Sequence, residues 1–286
     1  MPHYQLAGRV VVITGATGGL GSALAKKLRA LGARIALLDL DLTAVTEQAL
    51  SLGGEGVARG WRVDVRSYAD IQIAMDEAAE HFGRVDVVIA NAGIEHIAPM
   101  ASTHPDEFDR VIDINLNGVW RTFRAALTHV QKEKGYLMAI SSMAAFVHSP
   151  LQSHYTASKA GVWAMCDSIR LEVRHLGVGV CSVHPTFFRT AMLDQVHADP
   201  AGVKLWNGNK GGVWKMISLE SVVDGIIRGI EQRSDIVVLP QAYTTIARAP
   251  GFFRRLIESI GFKTADVRRA IALASPASEG EKNSAR

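Results

Sequence analysis

The sequence has little cysteine and no long apolar run. Only two cysteines, Cys166 and Cys181, occur among its 286 residues, so no disulfide framework is possible beyond a single bridge, and no cysteine–histidine spacing indicates a metal site. No apolar stretch is long enough to cross a bilayer, and Met1–Leu6 lacks the basic and apolar regions of a signal peptide. We therefore expect a cytoplasmic protein without a bound metal.

Neither sign of charge dominates the sequence. It has 31 Lys and Arg residues against 28 Asp and Glu residues, a net charge of +3. Such a small excess gives no electrostatic reason to expect nucleic acid as a partner. Apolar residues make up 48% and charged residues 21%, and the mean hydropathy is +0.11. These values are typical of a chain with a sizeable core and exclude global disorder.

Strand-like and helix-like segments alternate along most of the chain. Seven apolar runs, from Val10–Thr14 to Asp235–Leu239, alternate with six segments of helical spacing. Apolar runs without polar alternation indicate strands that are buried on both faces, and strand–helix–strand repetition implies right-handed crossovers. The pattern therefore predicts the α/β class, as a single-domain, Rossmann-type, doubly wound parallel sheet of about seven strands with helices on both faces.

The same pattern sets the domain boundaries. Residues 1–240 are predicted to form one α/β domain. Residues 189–218 interrupt the alternation with Gly, Asn, Trp and Pro, and such an irregular insertion after a strand is typical of a substrate loop. Residues 241–274 are predicted to form a helical C-terminal extension, and residues 275–286, which are small and polar, a disordered tail.

A glycine-rich loop joins the first predicted strand to the first predicted helix. Thr14–Gly21 reads Thr-Gly-Ala-Thr-Gly-Gly-Leu-Gly. Glycine allows a tight turn and a close approach of the backbone to a pyrophosphate, and the N-terminus of the following helix offers free N–H groups to that anion. The strand–loop–helix context therefore predicts a dinucleotide-binding site in residues 1–240.

The end of the second strand indicates which dinucleotide binds. Asp39 lies 18 residues after Gly21, where a carboxylate can accept hydrogen bonds from both ribose hydroxyls and would repel a 2′-phosphate. No Arg or Lys lies within Gly15–Gly21, and Leu40 follows the carboxylate. The cofactor is therefore predicted to be NAD, and NADP is less expected.

The glycine loop and Asp39, together with the motifs given below, resemble those of the short-chain dehydrogenase/reductase family. The resemblance covers nearly the whole chain, to about Leu239. Asn91-Ala92-Gly93 and the length of the chain favour the shorter, single-domain dehydrogenase branch over the longer epimerase branch, whose glycine spacing the loop also satisfies. Thr186 stands where the family usually has glycine. The cofactor-binding residues that the resemblance implies are Gly15, Thr17, Gly19, Leu20, Gly21, Asp39, Asp64, Val65, Asn91, Ala92, Gly93, Tyr155, Lys159, Pro185 and Thr190.

The resemblance also implies a catalytic set of Asn115, Ser142, Tyr155 and Lys159. Tyr155 and Lys159 are four residues apart and lie on one face of a helix. A tyrosine has an unperturbed pKa of about 10, so Lys159 and a cationic nicotinamide ring are expected to lower the pKa of Tyr155 and make it a base. Ser142 is expected to hydrogen-bond the substrate oxygen, and Asn115 to hold a water that links Lys159 to solvent.

The substrate is expected to meet loops that follow the strands. The candidate wall residues are mostly apolar and include no Arg or Lys, whereas an anionic substrate would need a cation. They are Ile94, His96, Met143, Ala144, Phe146, Gln152, Phe187, Met192, Leu193, Trp206 and Trp214. The sequence therefore predicts an NAD-dependent oxidoreductase that interconverts a secondary alcohol and a ketone, on a neutral, hydrophobic, steroid-, terpene- or aryl-carbinol-like substrate. The candidate substrate-binding residues are His96, Ser142, Phe146, Gln152, Tyr155, Phe187 and Met192.

Two other functions stay open. One is a redox sensor that binds NAD without catalysis. The other is a membrane-surface or partner-binding module built on the basic, amphipathic segment Thr244–Phe262, although such a segment packs more often on its own domain or on a sister subunit. Segments Pro105–Val130 and His154–Leu176 correspond to the helix pair through which members of the family dimerise, so a homodimer or homotetramer is expected.

Overall fold

The computed structural model describes residues 4–211 and 214–274, without the side chains of residues 191, 192, 195, 196 and 254. The predicted disordered tail, residues 275–286, lies outside the described residues. Seven parallel strands form one sheet in the order β3-β2-β1-β4-β5-β6-β7, which confirms the predicted doubly wound α/β fold. The strands are β1 (Val10–Thr14), β2 (Arg34–Asp39), β3 (Ala58–Arg62), β4 (Val87–Ala90), β5 (Tyr136–Ile140), β6 (Gly179–Pro185) and β7 (Ile236–Leu239).

Helices cover both faces of this sheet. The first strand shows why its sequence is apolar throughout, since Val11 and Ile13 enter the core on one face and Val10 and Val12 the core on the other. The α-helices are α1 (Gly19–Ala30), α2 (Leu42–Ser51), α3 (Tyr68–Phe82), α4 (Pro105–Ile112), α5 (Gly118–Val130), α6 (Ser153–Val173), α7 (Ala191–Ala198), α8 (Pro200–Leu205), α9 (Leu219–Gln232), α10 (Thr244–Arg248), α11 (Pro250–Gly261) and α12 (Thr264–Ala274).

Two segments differ from the expected pattern. The helix predicted over Pro105–Val130 is divided, because a π-helical turn at Asp113–Asn117 separates α4 from α5. The insertion predicted to be irregular at residues 189–218 contains the two short helices α7 and α8. Short-range hydrogen bonds explain α8, since Pro200 occupies its first turn and the Asp199 side chain accepts a hydrogen bond from the Ala201 N–H at 2.7 Å.

The C-terminal helices pack on the insertion. Leu205 and Trp206 share a core with Ala270 of α12 and with Phe262, and Lys204 forms an ion pair with Asp266 at 2.7 Å. The substrate-loop region is therefore held by residues more than 50 positions further along the chain. No helix among the described residues is long and apolar enough to cross a membrane.

Candidate active site

A cavity of about 520 Å³ opens at the C-terminal ends of the strands. Strand ends on the two sides of a crossover point diverge in this topology and leave a crevice there. Many of the residues predicted for the cofactor and for catalysis meet in this cavity. Those that line it are Gly15, Thr17, Gly19, Leu20, Asp39, Asp64, Val65, Asn91, Ala92, Gly93, Ser142, Gln152, Tyr155, Lys159, Pro185, Phe187 and Thr190.

The glycine loop is tied to the end of β4. The Asn91 side-chain amide donates to the carbonyl oxygens of Thr14 and Gly15 at 3.0 and 2.9 Å. Gly15 has a φ of +62°, a conformation that glycine adopts without strain. Gly21 does not line the cavity but lies beneath the turn, where a Cβ would be 2.3 Å from the Gly15 oxygen. This loop fits a pyrophosphate because its backbone is both exposed and fixed.

Asp39 faces the loop from the end of β2. Its Oδ2 accepts hydrogen bonds from the Thr17 N–H at 2.8 Å and from the Thr17 hydroxyl at 2.7 Å, and its Oδ1 accepts one from the Leu40 N–H at 2.8 Å. A carboxylate is thus fixed at the end of the cavity where the adenosine ribose would lie.

Asp64 is already paired with a cation. Arg66 donates to both of its carboxylate oxygens, the shortest bond being 2.6 Å, and this side-chain hydrogen bond holds the pKa of Asp64 below its usual value. The family resemblance implies that Asp64 binds the cofactor. The structure shows the Asp64 carboxylate engaged with Arg66, which also lines the cavity, so the charge of that arginine is neutralised locally.

Tyr155 and Lys159 project from α6 into the middle of the cavity, beside Ser142 at the end of β5. The Lys159 ammonium lies 5.5 Å from the centre of the Tyr155 ring and donates to the Ile140 carbonyl oxygen at 2.9 Å. The Ser141 hydroxyl donates to the Lys159 carbonyl oxygen at 2.9 Å. These bonds fix α6 against β5, so a phenol, a hydroxyl and an ammonium converge on one space.

Burial dominates the electrostatics of this group. Burial raises the pKa of Tyr155, the Glu95 carboxylate raises it further, and a hydrogen bond with Ser142 opposes both effects. Burial lowers the pKa of Lys159 to about 8. The chain's own residues therefore keep the phenol protonated, and the effect of Lys159 together with a cationic nicotinamide ring on the pKa of Tyr155 stays a prediction.

Asn115 does not line the cavity. Its side chain is fully buried in the π-helical turn, where its Oδ1 accepts from the Ile94 N–H at 2.8 Å and its Nδ2 donates to the Ile94 carbonyl oxygen at 2.9 Å and to the Ser158 hydroxyl at 3.3 Å. These bonds clamp the loop that follows β4, and the role of Asn115 in holding a relay water stays a prediction.

Only some of the predicted substrate residues line the cavity. Gln152 and Phe187 line the cavity, but Phe146 is 1% exposed and packs on the rings of Trp163 and His184, because the turn after β5 directs it into the core. His96 is exposed and lies 3.3 Å from a Glu107 oxygen instead of facing the cavity. The side chain of Met192 lies outside the described residues.

Aromatic rings form one wall of the substrate end. Phe187 lies between Trp206 and Trp214, with ring centres 5.4 and 6.3 Å away. Trp214 also packs on Phe262, 4.9 Å away. Such contacts stabilise a rigid apolar surface.

Among the further lining residues that the sequence analysis did not name, five bear on the substrate end. Two are charged, and three belong to the C-terminal extension, which sequence position alone could not bring to the strand ends. The only signal for the acidic one was its position two residues after Asn91-Ala92-Gly93. The five are Glu95, Arg110, Tyr243, Ile246 and Ile257.

Comparison with known proteins agrees with this geometry. Residues 9–201 match the family model described as short chain dehydrogenase. The chain belongs to the short-chain dehydrogenase/reductase family. Members of this family bind a nicotinamide cofactor, and the chain is therefore an oxidoreductase of that family.

Several named relatives show how wide the family is. A hexahydroindene-carboxyl-CoA reductase of Mycobacterium tuberculosis is 36% identical over 68% of this chain and 76% of the relative. A D-threitol dehydrogenase of Mycolicibacterium smegmatis is 32% identical over 75% of this chain and 80% of the relative. The crystal structure of a short-chain dehydrogenase/reductase from Mycobacterium marinum superposes with a TM-score of 0.74 at 26% identity, over 84% of this chain and 97% of that structure.

Proposed function

We propose that the protein interconverts a neutral secondary alcohol and its ketone, with NAD as the cofactor. One observation carries this proposal: Tyr155, Lys159 and Ser142 line the same cavity as the glycine loop. A carbinol that contacts the phenol would therefore lie beside a dinucleotide whose pyrophosphate rests on Gly15–Gly21. A single cavity that joins both sites is what hydride transfer requires, because the two reacting carbons must meet.

The preference for NAD rests on charge. Asp39 is fixed by Thr17 at the ribose end and would repel a 2′-phosphate. Arg66 is a cation that lines the same cavity, and it already forms an ion pair with Asp64 at 2.6 Å. A 2′-phosphate would thus have to compete with an existing ion pair for its counter-charge.

The chain's own groups move the proton. A bound nicotinamide cofactor supplies the hydride acceptor or donor, and Tyr155 exchanges the proton of the carbinol oxygen. Because burial raises the pKa of Tyr155, the phenol carries a proton at neutral pH and can donate it to a ketone. Oxidation needs the phenolate, which positive charge beside the ring favours. The Ser142 hydroxyl hydrogen-bonds the same oxygen and steadies its developing charge.

The substrate class follows from the walls of the cavity. The substrate end is lined largely by apolar side chains, among them Phe187, Trp206 and Trp214, which favour a hydrophobic carbinol. Arg110 is exposed at the edge of the cavity, so the body of a bound substrate would contact apolar surface instead of this cation. The names of the two relatives refer to a bulky ring-containing CoA thioester and to a small polyol, and we propose for this chain a substrate of the apolar kind.

The direct test is oxidation of a panel of neutral secondary alcohols with NAD, followed by the absorbance of the reduced cofactor. We expect turnover of hydrophobic carbinols and its loss in Tyr155→Phe, with NAD binding retained. A protein that binds NAD but turns over no carbinol or ketone would support the redox-sensor alternative instead.

We further propose that the protein forms a homo-oligomer, a dimer in preference to a tetramer. Trp120 of α5 and Leu171 of α6 are 50% and 55% exposed, although large apolar residues are normally buried. The two helices lie side by side on one sheet face, since both contribute to the same core cluster. A two-fold axis across them would cover both exposed side chains.

The C-terminal extension supports a second candidate, contact with a membrane surface. Phe252, Leu256 and Ile260 of α11 recur every four residues and are 84%, 58% and 60% exposed. Arg248 and Arg255 are exposed beside them. Such a basic apolar stripe can bind an anionic bilayer. Sedimentation with anionic vesicles at two ionic strengths tests this candidate, and we expect no binding if the stripe instead contacts a second subunit.

A further inference from the structure

Glu95 lies on a loop that is fixed at both ends. The loop follows β4, and Asn115 holds the Ile94 main chain through hydrogen bonds of 2.8 and 2.9 Å. One residue further on, the Nε2 of His154 donates to the His96 carbonyl oxygen at 2.8 Å. The backbone on either side of Glu95 therefore cannot swing, and its side chain has a defined direction.

That direction is into the cavity, where the Glu95 side chain lines the wall with Tyr155 and Lys159. Burial raises the pKa of Glu95 to about 7 and the Lys159 charge opposes this rise, while Glu95 in turn raises the pKa of both Tyr155 and Lys159. The other charged residues that line the cavity are Asp39, Asp64, Arg66 and Arg110.

The carboxyl of Glu95 has no hydrogen bond or ion pair with any residue in 4–211 or 214–274. Glu95 is partly buried, so its carboxyl stays open to a ligand inside a cavity whose substrate end is largely apolar. A site of this kind gains affinity from a ligand that brings the missing hydrogen bond.

We infer that Glu95 selects a substrate with a second hydroxyl beside the reacting carbinol, that is, a diol or its hydroxyketone. This inference rests on the proposed function and refines its substrate class. A hydroxyl suits the carboxyl in either protonation state, because it both donates and accepts. An ammonium on the substrate would fit less well, since the Lys159 ammonium is buried in the same cavity and would repel it.

The test compares alcohols that differ only in the second hydroxyl. Vicinal cyclohexanediol is paired with cyclohexanol, and vicinal butanediol with secondary butanol. The ratio of kcat/KM for diol to mono-alcohol is measured for the wild type, Glu95→Gln and Glu95→Leu. Glu107→Leu is the matched control, because Glu107 lies beside the same loop, 3.3 Å from His96, but does not line the cavity.

We expect the wild type to prefer the diol and Glu95→Leu to lower the ratio about tenfold or more, as for loss of a hydrogen bond to a charged group. Glu95→Gln keeps a hydrogen-bonding side chain of the same shape and should retain most of the preference. Glu107→Leu should leave the ratio unchanged. A purely structural role of Glu95 would lower both activities together and leave their ratio unchanged.

The outcomes separate this inference from the proposed function. A wild type that oxidises both alcohols with the same kcat/KM, or an unchanged ratio in Glu95→Leu, overturns the role of Glu95 alone. An equal fall of the ratio in Glu107→Leu overturns it as well. A wild type that oxidises neither alcohols of this panel nor any other carbinol with NAD overturns the proposed function, and this inference with it.

Discussion

The substitution Gly21→Ala tests how the glycine loop holds a dinucleotide. A Cβ on Gly21 would lie 2.3 Å from the Gly15 oxygen, 2.9 Å from the Ala16 Cα and 3.0 Å from the Asn91 amide nitrogen. Relief to ordinary contact needs a shift of about 1 Å, and overpacking of this kind costs about 1–3 kcal/mol. Two of the contacted atoms are main-chain atoms of the loop, so the shift displaces the backbone that would face the pyrophosphate.

Gly18→Ala is the matched control in the same loop. Its Cβ would lie 3.4 Å from the Gly15 oxygen, an ordinary contact, and Gly18 has φ −63° and ψ 161°, which alanine adopts freely. Titration of tryptophan fluorescence with NAD should show a dissociation constant at least about tenfold higher for Gly21→Ala, equivalent to about 1.4 kcal/mol, and a smaller change for Gly18→Ala. Equal affinities of Gly21→Ala and the wild type would refute this reasoning.

Three further predictions concern specificity, chemistry and assembly. Asp39→Ala should reduce the preference for NAD over NADP in parallel titrations, and tighter binding of NADP by the wild type would contradict the argument from charge. Tyr155→Phe should lower kcat by about 10²–10⁴-fold, and NAD should still bind. Because burial holds the pKa of Tyr155 above its usual value, the phenolate fraction grows with pH through the neutral range, so wild-type kcat/KM for oxidation should rise with pH while kcat/KM for reduction stays level until the phenol begins to ionise. Light scattering should give the mass of a dimer or tetramer for the full chain, and a monomer at micromolar concentration would exclude pairing through Trp120 and Leu171.

The sequence predicts the sheet well because its signals are local. The first and last predicted strands, Val10–Thr14 and Asp235–Leu239, match β1 and β7 to within one residue. Local signals also bound α3, since the Ser67 side chain caps its start and Gly83 ends it in a left-handed conformation. The π-helical turn at Asp113–Asn117 carries no such signal. Its residues have ordinary helical spacing, and the contact that accompanies the turn, between Asn115 and Ile94, joins positions 21 residues apart.

The cofactor side of the cavity was also predictable, because its residues follow strand ends in a fixed order. Side-chain direction was not. Phe146 and His96 lie in the expected loops, yet one enters the core and the other points to Glu107. Conversely, Glu95 reaches the cavity because Asn115 and His154 hold its loop through hydrogen bonds. Such contacts join residues that are far apart in the chain, so no local sequence pattern predicts them.

Much of the substrate end of the cavity lies beyond the residues that match the family model. The family model ends at residue 201, whereas Trp206, Trp214, Tyr243, Ile246 and Ile257 all line the cavity. Trp206 and Trp214 pack in one core with α12, which the ion pair of Lys204 with Asp266 also joins to α8, whereas Tyr243 and Ile246 pack in another core beside Phe146. The glycine loop and the catalytic side chains can therefore stay constant while this later part of the chain changes the shape of the pocket. Relatives that match over the first 200 residues accordingly share the chemistry of the site more securely than its substrate.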